Sequence, residues 1–278
     1  MSSTVPRALD LETIPLAFDA DGLSGSFRLG PPLLRHDGTL YGGTAIAASV
    51  MAMEAATQRD VQWVTTQFVR PADNGETIDV RTEVLAAGRR TAQVRVTASV
   101  GERIVFASLG STGIRTESGL SGQYEKMPLT GGPDDAVDRW EGHTRMGQIP
   151  NDSTFRRAVE YRHAPMPEGP GPVLMWSRLT DGHPMTPARL AFVSDMVPVA
   201  IARGAGRLGA GTSLDNSMRF GEVPEVEWVL LELQGNLAAG GYGHGIVRAW
   251  AEDGTFLAVG GQTASMIYLF DEGSPPSV

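Results

Sequence analysis

The sequence contains no cysteine, which excludes disulfides, thiolate metal sites and a cysteine nucleophile. Histidine is sparse too: His36, His143, His163, His183 and His244 stand apart, without the short spacing that a zinc site uses. Basic charge is in deficit, with 23 Lys+Arg against 32 Asp+Glu and a formal net charge of −9. Broad binding to nucleic acid or to an anionic membrane needs the opposite balance. No apolar run approaches the roughly 20 residues of a membrane span. The leader MSSTVPRALDLETIPL lacks a basic region followed by an apolar one. No GxSxG elbow is present to anchor a serine hydrolase. What these absences leave is a cytoplasmic enzyme or binding protein without a metal or cofactor. At 278 residues it is long enough for one large domain or two medium ones. A small anionic ligand stays open, because a few arginines or a helix N-terminus can hold one locally.

What is present is a pattern written twice. LYGGTAIAASVMAMEAA predicts a helix from about Gly42 to Ala56, with Ile46, Val50 and Met53 on one stripe and alanine around the rest. A helix apolar on all sides is buried. TIDVRTEVL, TAQVRVTASV and RIVFASLGST then alternate with the period of half-buried strands, the last two joined at Gly101-Glu102. Residues 117–152 lose this periodicity to glycine, proline and charge and read as a linker. The pattern restarts with AVEYRH, VLMWSRL and a helix in TPARLAFVSDMV, with Thr186 as cap, Pro187 in its first turn and Pro198 ending or kinking it. SLDNSMRF, EWVLLELQGNL, HGIVRAWA and FLAVGGQTASMIYLF follow as strands. LAAG recurs at 85–88 and 237–240, ahead of the final hairpin each time. An α+β chain is expected, with units at 15–116 and 153–270 whose buried helices pack on one continuous sheet. GAGRLG at 204–209 has dinucleotide-motif spacing but stands between a helix and a strand, the reverse of the required order.

FVSDMVPVAI, residues 192–201, sets Asp195 inside an apolar run. A buried carboxylate costs several kcal/mol unless it is paired, protonated or used. Its structural explanation is a loop cap or an ion pair with Arg189 or Arg203. Gln262, in AVGGQTASM, likewise needs partners if buried, and could simply bridge backbone groups. Gly42-Gly43 could be no more than a tight strand-to-helix turn.

From about residue 20 to 268 the chain resembles the acyl-CoA thioesterase II (TesB-like) family. The resemblance rests on YGGTAIAASV, FVRPAD, FVSDMVPVA, TSLDNSMRF, EWVLLEL and EDGTFLAVGGQTASM in that order. It implies a double hotdog, in which each long antiparallel sheet wraps a central helix. It also implies hydrolysis of an acyl-CoA to a free acid and CoA. By position, a water would be held by Asp195, by Ser213 where the family has threonine, and by Gln262. Serine keeps the hydroxyl and loses the stiffening methyl. The strand after Gln262 lacks the glutamate, glycine and arginine common in the family. Backbone N–H groups at Gly42 and Gly43, where the first helix begins, would stabilise the oxyanion. In the first half the counterpart of Ser213 falls near Val61 and that of Gln262 near Ser111, so one productive site per chain is expected. Arg70, Arg89 and Arg90 could meet CoA phosphates but are given no role. A homo-oligomer through sheet edges is a further expectation. Two other readings stay open: a hotdog hydratase or dehydratase, which would want an Asp–His pair, and a non-catalytic acyl-binding protein.

Overall fold

The computed structural model describes residues 14–116, 118–138, 154–166 and 169–270, with backbone alone at 267–270. The first half runs β1 (Ala17–Phe18), β2 (Ser24–Arg28), α1 (Gly42–Thr57), β3 (Asp60–Phe68), β4 (Thr77–Ala87), β5 (Thr91–Val100) and β6 (Arg103–Gly113). The second runs β7 (Val137–Asp138), β8 (Val159–His163), β9 (Val173–Leu179), α2 (Pro187–Val193) and α3 (Val197–Gly204). It ends with β10 (Leu208–Phe220), β11 (Val229–Ala239), β12 (Tyr242–Ala251) and β13 (Phe256–Phe270). All strands among the described residues belong to one 13-stranded antiparallel sheet, in the order β1-β2-β4-β5-β6-β3-β10-β13-β12-β11-β9-β8-β7.

This is the double hotdog arrangement. Helix α1 lies against β3, β4, β5 and β6, and α3 against β10 to β13. From Gly42 to Met53 every residue of α1 is buried, as its alanine-rich, apolar circumference requires. Ile46, Val50 and Met53 are among the fully enclosed side chains, each worth about 1.5–3 kcal/mol relative to exposure. β5 shows the period-two logic cleanly: Ala92, Val94, Val96 and Ala98 face the core and the residues between them face outward.

The halves meet at β3 and β10, paired from Asp215↔Gln67 to Arg219↔Trp63. Strand β3 does not advertise itself by clean alternation, since DVQWVTTQF places polar threonine and glutamine among its apolar residues. It is nonetheless the strand that makes the sheet continuous. Between the halves, residues 118–132 carry no helix or strand, and Gln123 ties them to the β12–β13 hairpin through Gly254 O and Phe256 N. Residues 139–153 lie outside the described region.

The second helical segment departs from the single helix expected in TPARLAFVSDMV. The chain forms two helices, interrupted at Ser194, Asp195 and Met196. Pro198 is the physical reason. It has no N–H to give Ser194 O, and its ring crowds that carbonyl, so one helix cannot run through. Proline suits the first turn of a helix, and it occupies that place in α3.

Candidate active site

Breaking the helix frees carbonyls at the end of α2. Buried tyrosines take them: Tyr41 OH donates to Phe192 O at 3.1 Å, and Tyr161 OH to Val193 O at 2.9 Å. The interruption is thereby fixed in place, and Asp195 projects from it into the space between the halves.

Asp195 is 8% exposed. Its Oδ1 accepts from Gln262 Nε2 at 2.7 Å and from Asn216 Nδ2 at 2.9 Å. Gln262 Nε2 also donates to Ser213 Oγ at 2.5 Å. Asp195, Ser213 and Gln262 therefore lie in one hydrogen-bonded cluster. The amide of Gln262 spends its N–H groups on the other two, and its Oε1 is buried without a partner among the described residues.

Asn216 is the member that sequence reasoning missed. A β-strand points residues three apart to opposite faces, so Ser213 and Asn216 should diverge. They do not, because the β10–β13 register slips between Ser213 and Asp215. The bulge at Leu214 absorbs one residue, so that Ser213 opposes Ala264 and Asn216 opposes Gln262 on the same inward face. In the letters TSLDNSMRF the signal was an asparagine two places ahead of Met218 and four ahead of Phe220, both apolar and inward.

Gly42 and Gly43 adjoin the cluster at the start of α1. A Cβ on Gly42 would run into Asp195 Oδ2, and one on Gly43 into Phe192 O and the Tyr41 ring. Helix α1 has no acidic residue in its first turn. Asp195, from the other half, supplies negative charge there, and the Gly43 N–H acts on its carboxylate.

Burial pushes the Asp195 carboxyl from its ordinary 3.8 up to about 6, the largest influence on it; the Asn216 hydrogen bond, the Arg35 charge, the Gln262 hydrogen bond and the Gly43 N–H pull the other way. Burial first, then Tyr161 and Asp195, holds the Tyr41 phenol well above its ordinary range. The ion pair with Arg189 proposed as a structural explanation does not form: Arg189 Nη1 bonds Asp181 Oδ2 at 2.8 Å. The described partners of the Asp195 carboxylate are amides, with no histidine among them. Among the described residues no group of three acidic or histidine side chains could hold a metal, and no helix is long and apolar enough to cross a membrane.

The pseudo-twofold relation between the halves can be read from the ladders. Val64 opposes Gly110 in the first half as Asn216 opposes Gln262 in the second, and Val61 opposes Thr112 as Ser213 opposes Ala264. Each member is displaced from its counterpart by the interval between the two LAAG stretches. The expectation of Val61 opposite Ser213 agrees with this. The counterpart of Gln262 is Gly110 rather than Ser111, a one-residue correction that exchanges an outward for an inward position. By the same relation Asp195 matches Gly43. A Cβ at Gly110 would come within 2.5 Å of Met53 Sδ and 2.6 Å of Trp63 O, so the first half has no room for a side chain there.

Comparison with known proteins agrees with this architecture. Residues 32–113 match the model of the acyl-CoA thioesterase N-terminal domain, and 130–266 that of the acyl-CoA thioesterase C-terminal domain. A Novosphingobium aromaticivorans protein assigned as a thioesterase has 30% identity and a TM-score of 0.80, covering 90% of this chain and 97% of its own. A hot dog fold protein of unknown function from Alicyclobacillus acidocaldarius has 20% identity and a TM-score of 0.77, covering 94% and 96%. Acyl-CoA thioesterase II TesB2 from Mycobacterium marinum has 19% identity and a TM-score of 0.69, covering 92% and 97%. These last two show likeness of fold. No curated protein sequence matches.

Proposed function

Because the chain belongs to the TesB-like acyl-CoA thioesterase family of double hotdog thioester hydrolases, we propose that it hydrolyses an acyl-CoA by direct attack of water, with Asp195 as general base. The observation that carries this reading is the convergence of Asp195, Ser213 and Gln262 at one buried point between the halves.

The division of labour follows from which atoms are committed. Asp195 Oδ1 is occupied by two amide donors, which leaves Oδ2 to take the proton. A carboxyl held near 6 is ionised at neutral pH and more basic than an ordinary aspartate. Gln262 Oε1, the uncommitted end of its amide, accepts the second hydrogen of the same water, and Ser213 fixes the Gln262 amide plane. The water oxygen adds to the thioester carbonyl carbon as its proton passes to Asp195. The tetrahedral adduct then expels the CoA thiolate, which takes the proton back as thiol. No covalent acyl-enzyme is needed.

The oxyanion is assigned to the N–H end of α1, where the helix dipole favours negative charge, with Gly42 N–H as the donor and Gly43 N–H acting on the Asp195 carboxylate. Glycine at these positions lets Asp195 and the α2 terminus come against the helix. Residues 15–116 would supply that helix and the tunnel wall, and 153–270 the acid and the amides, joined through 117–152. We further propose that the enzyme works in the cytoplasm and assembles with copies of itself through its sheet edges.

The test is a panel of acyl-CoAs assayed with a thiol reagent. Release of CoA that disappears in Asp195→Asn supports hydrolysis; hydration without thiol release, or binding without either, would replace it.

A further inference from the structure

A single row of opposed residues crosses the junction between the halves: Ser108 on β6, Thr66 on β3, Asn216 on β10 and Gln262 on β13. All four are buried. On the first-half side the hydroxyls form a directed chain. Ser49 Oγ donates to Ala45 O at 2.8 Å, which obliges Ser108, 2.8 Å away, to donate to Ser49. Thr66, 2.8 Å from Ser108, must then donate to Ser108. Each hydroxyl has one proton, so Thr66 has none left for its neighbour Asn216.

Asn216 is 1% exposed, and its Oδ1 has no partner among the described residues. With Thr66 spent, the described bond that fixes its amide is the one from Nδ2 to Asp195 Oδ1 at 2.9 Å. A buried asparagine whose described bonding ends on a carboxylate is poorly explained by core stability. It is well explained as a support for that carboxylate.

We infer that Asn216 is a positioning residue for the thioesterase: it holds Asp195 Oδ1, keeps the carboxylate ionised in an apolar setting and presents Oδ2 to the attacking water. The inference rests on the reading of Asp195 as base. It adds that the acid limb of the pH profile is set by an amide which no side chain in the first half reproduces, the counterpart being Val64. Other groups acting with Asp195 are Arg35 from the loop before α1, itself 3.1 Å from Asp37, and the Tyr41 phenol at the start of α1, which in turn meets Tyr161 on β8. Asp215, next to Asn216, sits on the opposite face and accepts from Thr263 N. The Asn216 hydrogen bond is the largest influence opposing burial at Asp195.

The experiment is the pH dependence of kcat and kcat/KM for Asn216→Leu and Asn216→Ser beside the unaltered enzyme, with folding checked by circular dichroism. Leucine removes the donor at similar volume. Serine keeps a shorter one and carries the test if leucine does not fold. Losing a hydrogen bond to a charged group should raise the acid limb by about one to two pH units in the leucine variant, and by less in serine. At pH 7 kcat then falls by roughly two- to tenfold, KM holds, and the loss recovers at alkaline pH. A packing role would lower the melting temperature and leave the limb in place, and acid limbs within about 0.3 pH unit of the unaltered enzyme in both variants would overturn the inference. If instead Asp195→Asn retains turnover, it is the reading of the base that fails. An inactive Asp195→Asn beside unmoved limbs removes Asn216's role alone.

Discussion

The two halves share a fold and differ in what they place on corresponding positions. In the second, Asp195, Ser213, Asn216 and Gln262 gather into a hydrogen-bonded set; in the first, Gly43, Val61, Val64 and Gly110 stand in their places. The first half keeps polar groups elsewhere, in the Ser49–Ser108–Thr66 chain, whose hydroxyls satisfy one another and end on a helix carbonyl. The two amides that hold the Asp195 carboxylate in the second half leave Gln262 Oε1 and Asn216 Oδ1 buried without partners among the described residues, where the first half leaves only threonine hydroxyls, Thr82 and Thr112, so placed. Closed polar networks stabilise and specify a core; open ones lower stability and are found where chemistry is done. The difference assigns scaffold and helix N-terminus to one half, and acid and amides to the other.

That contrast can be broken at several depths. The largest effect is expected from Asp195→Asn, which removes the proposed base and should lower kcat by about 10³-fold within the range typical of general-base loss, measured as CoA release. Gly42→Ala comes next: its Cβ would displace Asp195 Oδ2, and a fall of roughly 10²-fold is expected, consistent with the sensitivity of rates to small misplacement. Gly43→Ala is a poorer probe of the oxyanion, because the new methyl would meet the Phe192 carbonyl and shift α1 itself. Ser213→Ala, which frees one end of the Gln262 amide, should cost about tenfold, while Ser213→Thr should keep activity within about twofold by restoring a stiffer rotamer. Smallest on activity is Val61→Ser, the first-half counterpart of Ser213. Turnover should stay within about twofold while urea denaturation shows a loss of about 1–3 kcal/mol from an unpartnered hydroxyl in the core.

Sequence reasoning reached the architecture because its signals are local. An all-round apolar helix, period-two strands and a turn at Gly101 each report on a few neighbouring residues, and Gly101 takes the positive φ that such a turn uses. The site was legible as far as single residues stand out from their neighbours. Asp195 in FVSDMVPVAI and Gln262 in AVGGQTASM are conspicuous for that reason. Asn216 was not, since its inward direction depends on a bulge at Leu214 that no short pattern announces. The split between α2 and α3 was half legible: Pro198 marked a disturbance, but its place at the start of a second helix left the interruption three residues earlier. The slip from Gly110 to Ser111 has the same origin, because register across a sheet is a long-range property.

The most direct test of Asp195 as the base of the single site uses its displaced titration, which gives opposite signs for activity and stability. A carboxyl near 6 in the folded chain and 3.8 in the unfolded one favours the folded state while protonated. That contribution is complete below 3.8, is lost as pH rises through about 6, and leaves ionised Asp195 opposing folding by about 3 kcal/mol at neutral pH. Activity needs the ionised form and must rise over the same interval. The decisive measurement is kcat/KM from pH 4.5 to 8 alongside urea midpoints for the enzyme and for Asp195→Asn. The account predicts an acid limb near pH 6 and a stability gap that grows in favour of the inactive asparagine variant as pH rises. A flat rate profile across that interval, or an asparagine variant that still turns over, would contradict it.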